Sequence, residues 1–501
     1  MPVIQPFDQS GVVRGKDGIA RYQNRPQSLV EMLRSSVEKS PQSEAIVEVG
    51  GERITYRQLW DRSARVAGGL QALGLRRGDR AAIRLGNTLD WCLAFFGIQM
   101  AGAIAVPVNT RFSETEAGYV VSDSESKFVF LPKERLPDGP PMVEENLQRN
   151  DIAAIFYTSG TTGFPKGSIT THEAFLSNTE TCRRVSATGN QSLRNLVSVP
   201  LFHVTGCNSQ LLPTCESGGT TVILPTFQVQ TFLQVIQSER IDIVTSVPAI
   251  FWLAMNQPNF GEIEKSSVRW ATYGGAPAPP DLVCRIAEAF PNARTGNGFG
   301  LTESCSVATF LPHEYTRLRA ETVGFAAPVV DLRLRRCMAD PDAGELLIRG
   351  PNVAKGYWNK PEATAQTFAD GWLHTGDVAR IDEQGFVTIV DRIKDMVNRG
   401  GENVYCVEVE NVLAAHPAVF EAAVVGVPDK MMGEKVGAVI VTKPGSKAEP
   451  GEILEFARTR LADFKIPQYV ILRSEMLPRN PGGKVLKGPL RKIEDWGKPL
   501  F

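Results

Sequence analysis

The stretch YTSGTTGFPKGSITTH, residues 157–172, combines three glycines, several hydroxyl side chains and one lysine in a short segment. Glycine has no Cβ, so the backbone at these positions can turn tightly and approach a ligand closely. Hydroxyl groups, backbone N–H groups and an ammonium are all donors for phosphate oxygens. The composition of this segment therefore predicts a loop that binds phosphate.

The surroundings of the loop separate it from the P-loop of nucleotide triphosphatases. Pro165 precedes Lys166 and Gly167 follows it, so the Gly-Lys-Ser/Thr spacing is absent. The residues before the loop, IAAIFY, predict a buried strand, and SITTH after it is β-branched rather than helical. A strand, a loop and a second strand indicate a phosphate-binding loop of another kind.

Length and composition limit the class of protein. A chain of 501 residues is too long for one hydrophobic core, so we expect more than one domain. The 54 basic and 55 acidic residues nearly cancel, which argues against a nucleic-acid partner and against a polybasic membrane anchor. The eight cysteines form no Cys-x-x-Cys pair, which is typical of reduced thiols in the cytoplasm and implies no zinc site.

Targeting and membrane features are also not expected. The N-terminus lacks the basic-then-apolar pattern of a signal peptide. The long apolar run at 91–108 contains Gly97, Gln99 and Pro107, and it predicts a buried helix turning into a strand rather than a membrane span. We therefore expect a cytoplasmic protein without stable membrane insertion, and the sequence leaves open whether it is a monomer or a homodimer.

The order of predicted elements indicates an α/β protein with several parts. Strands alternate with helices to about residue 320, which is typical of a layered α/β body. Segments such as DLRLRR and GFVTIVD make residues 320–391 rich in strands, and a small α+β unit follows Arg392. We place the main boundary near residues 391–394.

Five further segments carry groups suited to ligand binding. YGGAPAPP (273–280) and GFGLTES (298–304) are glycine-rich turns at the ends of predicted strands, where α/β proteins bind ligands. GWLHTGD (371–377) ends in a carboxylate that can accept hydrogen bonds from the paired hydroxyls of a ribose. DRIKDMVNRGGENVY (391–405) combines charge with a Gly-Gly turn. LPRNPGGKVLK (477–487) places Lys484 directly after two glycines.

Taken in this order, the first loop and the five further segments resemble the adenylate-forming superfamily, which includes acyl-CoA synthetases, 4-coumarate-type ligases, luciferases and the adenylation domains of peptide synthetases. The resemblance runs from about Ser28 to Lys492. It implies a large N-terminal AMP-binding body over residues 1–391, built of two α/β subdomains and a β-barrel-like one. It also implies a hinge at 392–394 and a small mobile α+β domain over residues 395–501.

The resemblance also implies roles for individual residues. The β- and γ-phosphates of ATP are expected at Thr158, Ser159, Gly160, Thr161, Thr162, Gly163 and Lys166. The adenine and acyl pockets are expected beside Gly274, Gly275, Ala276, Gly298 and Phe299. The ribose is expected at Asp377 and Arg392, the hinge at Lys394, and the face used in the second half-reaction around Gly401. The catalytic set implied in this way is Thr302, Glu303, His203 and Lys484, with Glu303 at Mg²⁺.

The reaction implied by the resemblance explains why such groups are needed. A carboxylate that attacks the α-phosphorus of ATP brings two anions together, and cations must offset their repulsion. Lys484 is a compact charge suited to bridging both groups, and Mg²⁺ at Glu303 neutralises phosphate charge. Pyrophosphate leaves, the thiol of coenzyme A attacks the acyl-AMP, and AMP departs. Rotation about the hinge exchanges Lys484 for the face around Gly401.

Three functions remain open at this stage. An acid:CoA ligase is favoured over an enzyme that passes the acyl group to a carrier protein, because no phosphopantetheine-site motif follows Lys484. An inactive nucleotide-binding or scaffold protein is disfavoured, because Lys166, Glu303, Asp377 and Lys484 are all present. ATP, Mg²⁺, coenzyme A and a small carboxylic acid are the expected ligands.

The acid itself is predicted only by class. Thr205 stands where 4-coumarate-type ligases commonly have a tyrosine, and Cys207, Ser209 and Cys305 are also small. These residues predict a roomy apolar pocket for a fatty or bulky hydrophobic acid, and an aryl or cinnamoyl-type acid remains the alternative. Cys406 stands where the family commonly has proline, which removes a fixed φ angle and predicts a looser segment.

Overall fold

The computed structural model describes residues 4–158, 165–276, 278–337, 340–400, 402–443, 445–446, 448–479 and 485–501. Within these residues the strands are β1 Val12–Arg14, β2 Ala20–Tyr22, β3 Glu44–Glu48, β4 Arg53–Thr55, β5 Arg80–Ile83, β6 Ile104–Pro107, β7 Ser126–Phe130, β8 Ile152–Thr158, β9 Lys166–Thr171, β10 Arg194–Val197, β11 Thr220–Ile223, β12 Ile243–Ser246, β13 Trp270–Gly274, β14 Arg294–Phe299, β15 Thr309–Leu311, β16 Phe325–Ala326, β17 Asp331–Cys337, β18 Asp340–Arg349, β19 Leu373–Ile381, β20 Val387–Arg392, β21 Val397–Arg399, β22 Glu402–Val404, β23 Val419–Asp429, β24 Gly433–Thr442 and β25 Tyr469–Arg473.

The α-helices within the same residues are α1 Leu29–Lys39, α2 Tyr56–Ala72, α3 Leu89–Met100, α4 Glu114–Asp123, α5 His172–Val185, α6 Val204–Gly206, α7 Leu212–Glu216, α8 Val229–Ser238, α9 Pro248–Met255, α10 Pro280–Ala289, α11 Pro361–Thr367, α12 Cys406–Ala414, α13 Pro450–Arg458 and α14 Lys487–Arg491. A π-helical segment, Cys207–Leu211, joins α6 to α7. No helix of the described residues is long and apolar enough to cross a membrane.

Several of these elements begin where the sequence provides a cap. The side chains of Thr55 and Gln58 form a capping box at the start of α2, and Ser113 and Glu116 form one at the start of α4. Such a box satisfies two backbone N–H groups that a helix leaves without partners. Helix α3 is buried almost all round, so its apolar run lies in the core, and β6 follows it as the sequence predicted.

The largest sheet has nine strands in the order β16-β15-β14-β13-β12-β10-β11-β3-β4. Its central pairs, from β3 through β11, β10, β12 and β13 to β14, are parallel. Parallel strands place their carboxyl ends at one edge, and loops there commonly bind ligands. Consequently the ends of β12, β13 and β14 lie side by side.

A second α/β layer and two smaller sheets complete the fold. The order β7-β5-β6-β8-β9 forms a five-stranded sheet, in which β8 and β9 are an antiparallel hairpin. The expected β-barrel-like part corresponds to an antiparallel sheet of four strands, β17-β18-β19-β20. After Arg392 come a five-stranded sheet, built on the long hairpin β23–β24, and the helices that cover it. The chain therefore has the α/β architecture that the sequence predicted, with a small α+β part at the C-terminal side.

Candidate active site

A cavity with a volume of about 1000 Å³ lies among the ends of several strands. The ends of β8, β12, β13 and β14 contribute to its wall, together with residues of β19 and of the segment after β20. ATP and an acid of moderate size fit a space of this volume. The predicted segments, far apart in sequence, therefore converge on one cavity.

The first loop is carried by the hairpin of β8 and β9. Thr158 and Lys166 are partners across the hairpin. Both line the cavity, and the ammonium of Lys166 lies 5.3 Å from the centre of the Tyr357 ring. The phosphate contacts predicted for Ser159, Gly160, Thr161, Thr162 and Gly163 concern residues outside the described part of the chain.

The glycine-rich ends of β13 and β14 form a flat part of the wall. Gly274 and Gly298 are partners in the sheet, and a Cβ on Gly274 would lie 2.2 Å from the carbonyl oxygen of Gly298. Gly275 has a φ of +74°, which favours glycine. Phe299 also lines the cavity, whereas Ala276 is not among the residues that do. A side chain is excluded at Gly274, and the bare backbone of these glycines leaves room for a planar ring.

Glu303 lies in a short 3₁₀ helix directly after β14, next to Thr302, and both line the cavity. The hydroxyl of Tyr357 donates to Oε1 of Glu303 at 2.7 Å. No described residue donates a hydrogen bond to Oε2, and the described residues contain no group of three His, Cys, Asp or Glu that could hold a metal. A single carboxylate suits Mg²⁺, which usually binds one or two carboxylates together with substrate phosphates.

Asp377 and Arg392 face each other across β19 and β20. Nε of Arg392 donates to Oδ1 of Asp377 at 2.8 Å, and the carboxylate is almost fully buried. Its other oxygen, Oδ2, is buried and has no hydrogen-bond partner among the described residues. A buried carboxylate oxygen without a donor is costly unless a ligand supplies one. Arg392 lines the cavity, whereas Asp377 is not among the residues that do, so Oδ2 is a candidate acceptor directly beside a cavity residue.

The other end of the cavity is lined by His203 and Thr205. The backbone N–H of Thr205 donates to Nδ1 of His203 at 3.4 Å, and the Thr205 hydroxyl lies 3.3 Å from the same nitrogen. Burial lowers the pKa of His203 to about 4, so the imidazole is neutral at neutral pH. Ser209 also lines this end. A neutral, partly buried histidine beside small side chains suits the wall of an acyl pocket.

Two residues expected in the acyl pocket are placed elsewhere. Cys207 and Cys305 are 0% and 1% exposed, belong to the core beneath the cavity, and are not among the residues that line it. The π-helical turn directs Cys207 into the core, and the amide of Asn208 donates to the sulfur of Cys305 at 3.1 Å. The prediction that these two cysteines form the pocket wall is wrong.

The segment after β20 connects the cavity to the C-terminal part. Lys394 lines the cavity, and burial lowers its pKa. The guanidinium of Arg491 donates to the Lys394 carbonyl at 3.0 Å and to Asp395 at 2.9 Å. The rings of Trp252, in α9, and Phe420, in β23, lie 3.9 Å apart between centroids. Lys394 therefore lies where the two parts of the chain meet.

Cys406 is tightly bonded rather than loosely held. Its backbone N–H donates to the buried carboxylate of Asp391, and its thiol donates to the carbonyl of Asp395 at 2.9 Å. A proline at this position has no N–H to give to Asp391. Gly401 and Lys484, expected to act in the second and the first half-reaction, lie outside the described residues.

Sequence reasoning missed several residues of this cavity, among them Tyr357, Glu345 and Ser306. Tyr357 binds Glu303 from a segment 54 positions away, and Glu345 accepts from the N–H of Gly376 at 3.1 Å. Ser306 reaches the wall through a backbone with a φ of +110°. None of them belongs to a glycine-rich segment. No pattern in the sequence links Tyr357 to Glu303 or Glu345 to Gly376, because both contacts join distant segments.

Comparison with known proteins agrees with this geometry. The model of the AMP-binding enzyme family matches residues 33–142 and 133–358, and that of the AMP-binding enzyme C-terminal domain matches residues 408–484. The chain is 36% identical over 481 residues to a feruloyl-CoA synthase of Amycolatopsis sp, covering 90% of this chain and 96% of that protein. It is 35% identical over 495 residues to a long-chain-fatty-acid–CoA ligase of Mycobacterium tuberculosis, covering 92% and 97%.

A solved structure shows the same fold. The o-succinylbenzoate CoA synthetase from Bacillus subtilis, in complex with its acyl-adenylate intermediate, has a TM-score of 0.83 and 29% identity to this chain. The similarity covers 95% of this chain and 100% of the other. The similarity therefore includes both the large body and the C-terminal part.

Proposed function

Because the chain belongs to the family of AMP-binding enzymes, we propose that it joins a carboxylic acid to coenzyme A at the expense of ATP. Acyl-AMP and pyrophosphate form first, and acyl-CoA and AMP follow. One observation carries the proposal. A single cavity is lined by Thr158 and Lys166 beside the predicted phosphate loop, by Glu303, by Gly274 and Gly298, and by Arg392, which is bonded to Asp377.

The first half-reaction requires that the nucleotide be held still while an anion approaches it. We assign the ribose hydroxyls to Oδ2 of Asp377, since this buried oxygen has no other partner among the described residues. Arg392 keeps the carboxylate in place through its bond to Oδ1. The positive charge of Lys166 stabilises the departing pyrophosphate and so makes it a better leaving group. Mg²⁺ at Glu303 would neutralise further phosphate charge.

The bond changes of the two steps balance without a covalent bond to the enzyme. An oxygen of the substrate carboxylate forms a bond to the α-phosphorus, and the bond to the bridging oxygen of pyrophosphate breaks. The thiol sulfur of coenzyme A then attacks the acyl carbon, loses its proton, and displaces AMP. Lys484 is proposed to bridge carboxylate and α-phosphate in the first step only. Rotation at Lys394 is proposed to bring the face around Gly401 to the site for the second.

The acid is proposed to be fatty or bulky and hydrophobic. Thr205 and Ser209 are small residues that line the acyl end, and the cavity of about 1000 Å³ leaves space beyond the nucleotide. An aryl acid remains a second candidate, because one relative is a feruloyl-CoA synthase. Transfer to a carrier protein is the other alternative, and it differs only in the thiol that attacks.

One screen tests these possibilities. The protein is incubated with ATP, Mg²⁺ and a panel of fatty, alicyclic and aryl acids, with and without coenzyme A. We expect pyrophosphate release with some acids, and a CoA thioester of the same acids by mass spectrometry. Pyrophosphate release without any thioester would favour a carrier protein as acceptor. Absence of acid-dependent pyrophosphate release across the panel would refute the proposed function.

A further inference from the structure

Two pairs of hydroxyl side chains stand in the wall of the acyl end of the cavity. Thr245 Oγ1 and Thr272 Oγ1 lie 2.7 Å apart on β12 and β13, where the two residues are partners in register. The hydroxyl of Ser209 donates to the hydroxyl of Ser306 at 2.7 Å. All four residues line the cavity, and we call them the hydroxyl wall.

The hydroxyl wall has hydrogen-bond donors to spare. A hydroxyl group carries one hydrogen and can accept two further hydrogen bonds. In each pair, one hydrogen is used for the bond within the pair. Among the described residues no acceptor takes the hydrogen of Ser306 or the second hydrogen of the threonine pair. The wall therefore offers two O–H donors that a ligand can use.

The backbone is strained where it presents one of these pairs. Cys305 and Ser306 are consecutive residues with φ of +56° and +110°, a region that residues other than glycine rarely adopt. Ser209 lies in the π-helical segment Cys207–Leu211, and such turns are frequent at functional sites. The amide of Asn208 donates to the Cys305 carbonyl at 3.3 Å and holds the two segments together. Strained residues persist only where the surrounding structure holds them, and they cluster at ligand-binding and active sites.

The character of the donors decides which group they bind. Neither pair has a hydrogen bond to a charged side chain among the described residues. Arg183 lies behind the wall, in a small cavity of about 60 Å³, but its guanidinium is paired with Glu180. A second carboxylate of a substrate needs a cation when it is buried, whereas a neutral oxygen needs only a donor. A plain hydrocarbon tail would leave both donors without acceptors.

We propose that the acid activated by this protein carries a neutral oxygen acceptor, such as a ring ketone, on its hydrophobic part, and that the hydroxyl wall binds this oxygen. The inference rests on the proposed function and narrows its substrate class. It assigns Thr245, Thr272, Ser209 and Ser306 as residues that determine specificity.

The test uses 3-cyclohexylpropanoic acid and its three ring-oxo isomers, with kcat/KM for CoA thioester formation as the readout. The four acids share one carbon skeleton and differ only in the acceptor. We expect the wild-type protein to prefer at least one oxo isomer over the parent by about tenfold, which corresponds to about 1.4 kcal/mol. This measurement requires no variant and is independent of any effect on folding.

Two double variants then locate the preference in the wall. Thr245→Val/Thr272→Val and Ser209→Ala/Ser306→Ala each remove both members of a pair, so that neither leaves an unpaired partner. At least one is expected to reduce the ratio of kcat/KM for the preferred oxo isomer to that for the parent acid from about tenfold to about one, whatever its effect on kcat/KM for the parent acid. Thr388→Val, a change of the same kind on β20 that lies outside the cavity, is the control and should leave the preference intact.

The outcomes separate this inference from the proposed function. Equal kcat/KM for the parent and every oxo isomer in the wild type overturns the inference and leaves the ligase activity standing. A preference that survives in both double variants also overturns it, because the acceptor then binds elsewhere. If no acid in this panel or in the wider screen is adenylated, the proposed function fails, and the inference falls with it.

Discussion

Asp377→Asn is expected to weaken the use of ATP, and specifically the use of its ribose hydroxyls. The substitution keeps the shape of the side chain and removes its charge. In the structure Oδ1 of Asp377 binds Arg392 at 2.8 Å, and Oδ2 is buried without a partner. The proposal gives this second oxygen to the ribose.

The magnitude follows from the burial of the carboxylate. Its side chain is 4% exposed, so solvent screens its hydrogen bonds little. A hydrogen bond to a charged group contributes about 1.5–3 kcal/mol, which is roughly 10- to 150-fold in kcat/KM. We expect kcat/KM for ATP to fall by this factor in Asp377→Asn. In the wild type, 2′-deoxy-ATP or 3′-deoxy-ATP should show a loss of about the same size.

The assay is a double-mutant cycle between the side chain and the nucleotide. Pyrophosphate release is measured with ATP and with each deoxynucleotide, in the wild type and in Asp377→Asn. In the variant the penalty for the deoxynucleotide should shrink to less than threefold. Asp382→Asn is the matched control, because Asp382 also accepts from an arginine, Arg319 at 2.7 Å, but on the exposed turn after β19. Equal deoxynucleotide penalties in wild type and Asp377→Asn would refute the ribose assignment.

Four other substitutions test the remaining parts of the proposal. Lys484→Ala should abolish acyl-AMP formation and leave thioester formation from supplied acyl-AMP nearly intact, and equal losses in both half-reactions would contradict this. Lys394→Pro should spare acyl-AMP formation and block thioester formation, because proline fixes φ where the two parts of the chain meet. Normal turnover with coenzyme A would exclude rotation at this residue. Thr205→Tyr should lower kcat/KM for bulky acids about 10- to 100-fold more than for short ones, because overfilling a packed site costs typically about 1–3 kcal/mol. A uniform loss of kcat/KM across all acids would place Thr205 outside the pocket. Tyr357→Phe should raise the Mg²⁺ concentration for half-maximal activity by about three- to tenfold, since Glu303 loses a hydrogen bond of about 1 kcal/mol. An unchanged Mg²⁺ titration would show that Tyr357 does not position Glu303.

The elements that could be predicted from the sequence are those set by local patterns. The apolar run at 91–108 became helix α3 and strand β6, because a buried element is apolar on all sides. The two strands flanking the first loop became the hairpin β8–β9, since β-branched residues favour extended backbone. The glycine-rich turns at 273–280 and 298–304 do end the parallel strands β13 and β14.

The parts of the site that could not be predicted depend on contacts between distant segments. Tyr357 and Glu303 are 54 positions apart, and no periodicity connects them. Cys207 and Cys305 were expected in the pocket because they are small and close to it in sequence. A π-helical turn and two left-handed residues decide instead that Ser209 and Ser306 line the cavity and that the cysteines do not. Departures of this kind from regular geometry leave no pattern in hydrophobicity.

The contact between Asp391 and Cys406 is a similar case. The absence of a proline at 406 predicted a looser segment, on the ground that a fixed φ is lost. In the structure the backbone N–H of Cys406, which a proline would lack, donates a hydrogen bond to the buried carboxylate of Asp391. A backbone donor cannot be assigned a partner from residue types alone, because its direction depends on how helix α12 is placed against β20.

The central claim is that an oxygen of the substrate carboxylate attacks the α-phosphorus of ATP. The most direct test supplies an acid that the screen identifies, labelled with ¹⁸O in both carboxylate oxygens, together with ATP and coenzyme A, and records the mass of the nucleotide product. We predict that the product is AMP carrying one ¹⁸O atom, and that the acyl-CoA keeps the other. Formation of unlabelled AMP, or of ADP together with labelled inorganic phosphate, would contradict the account.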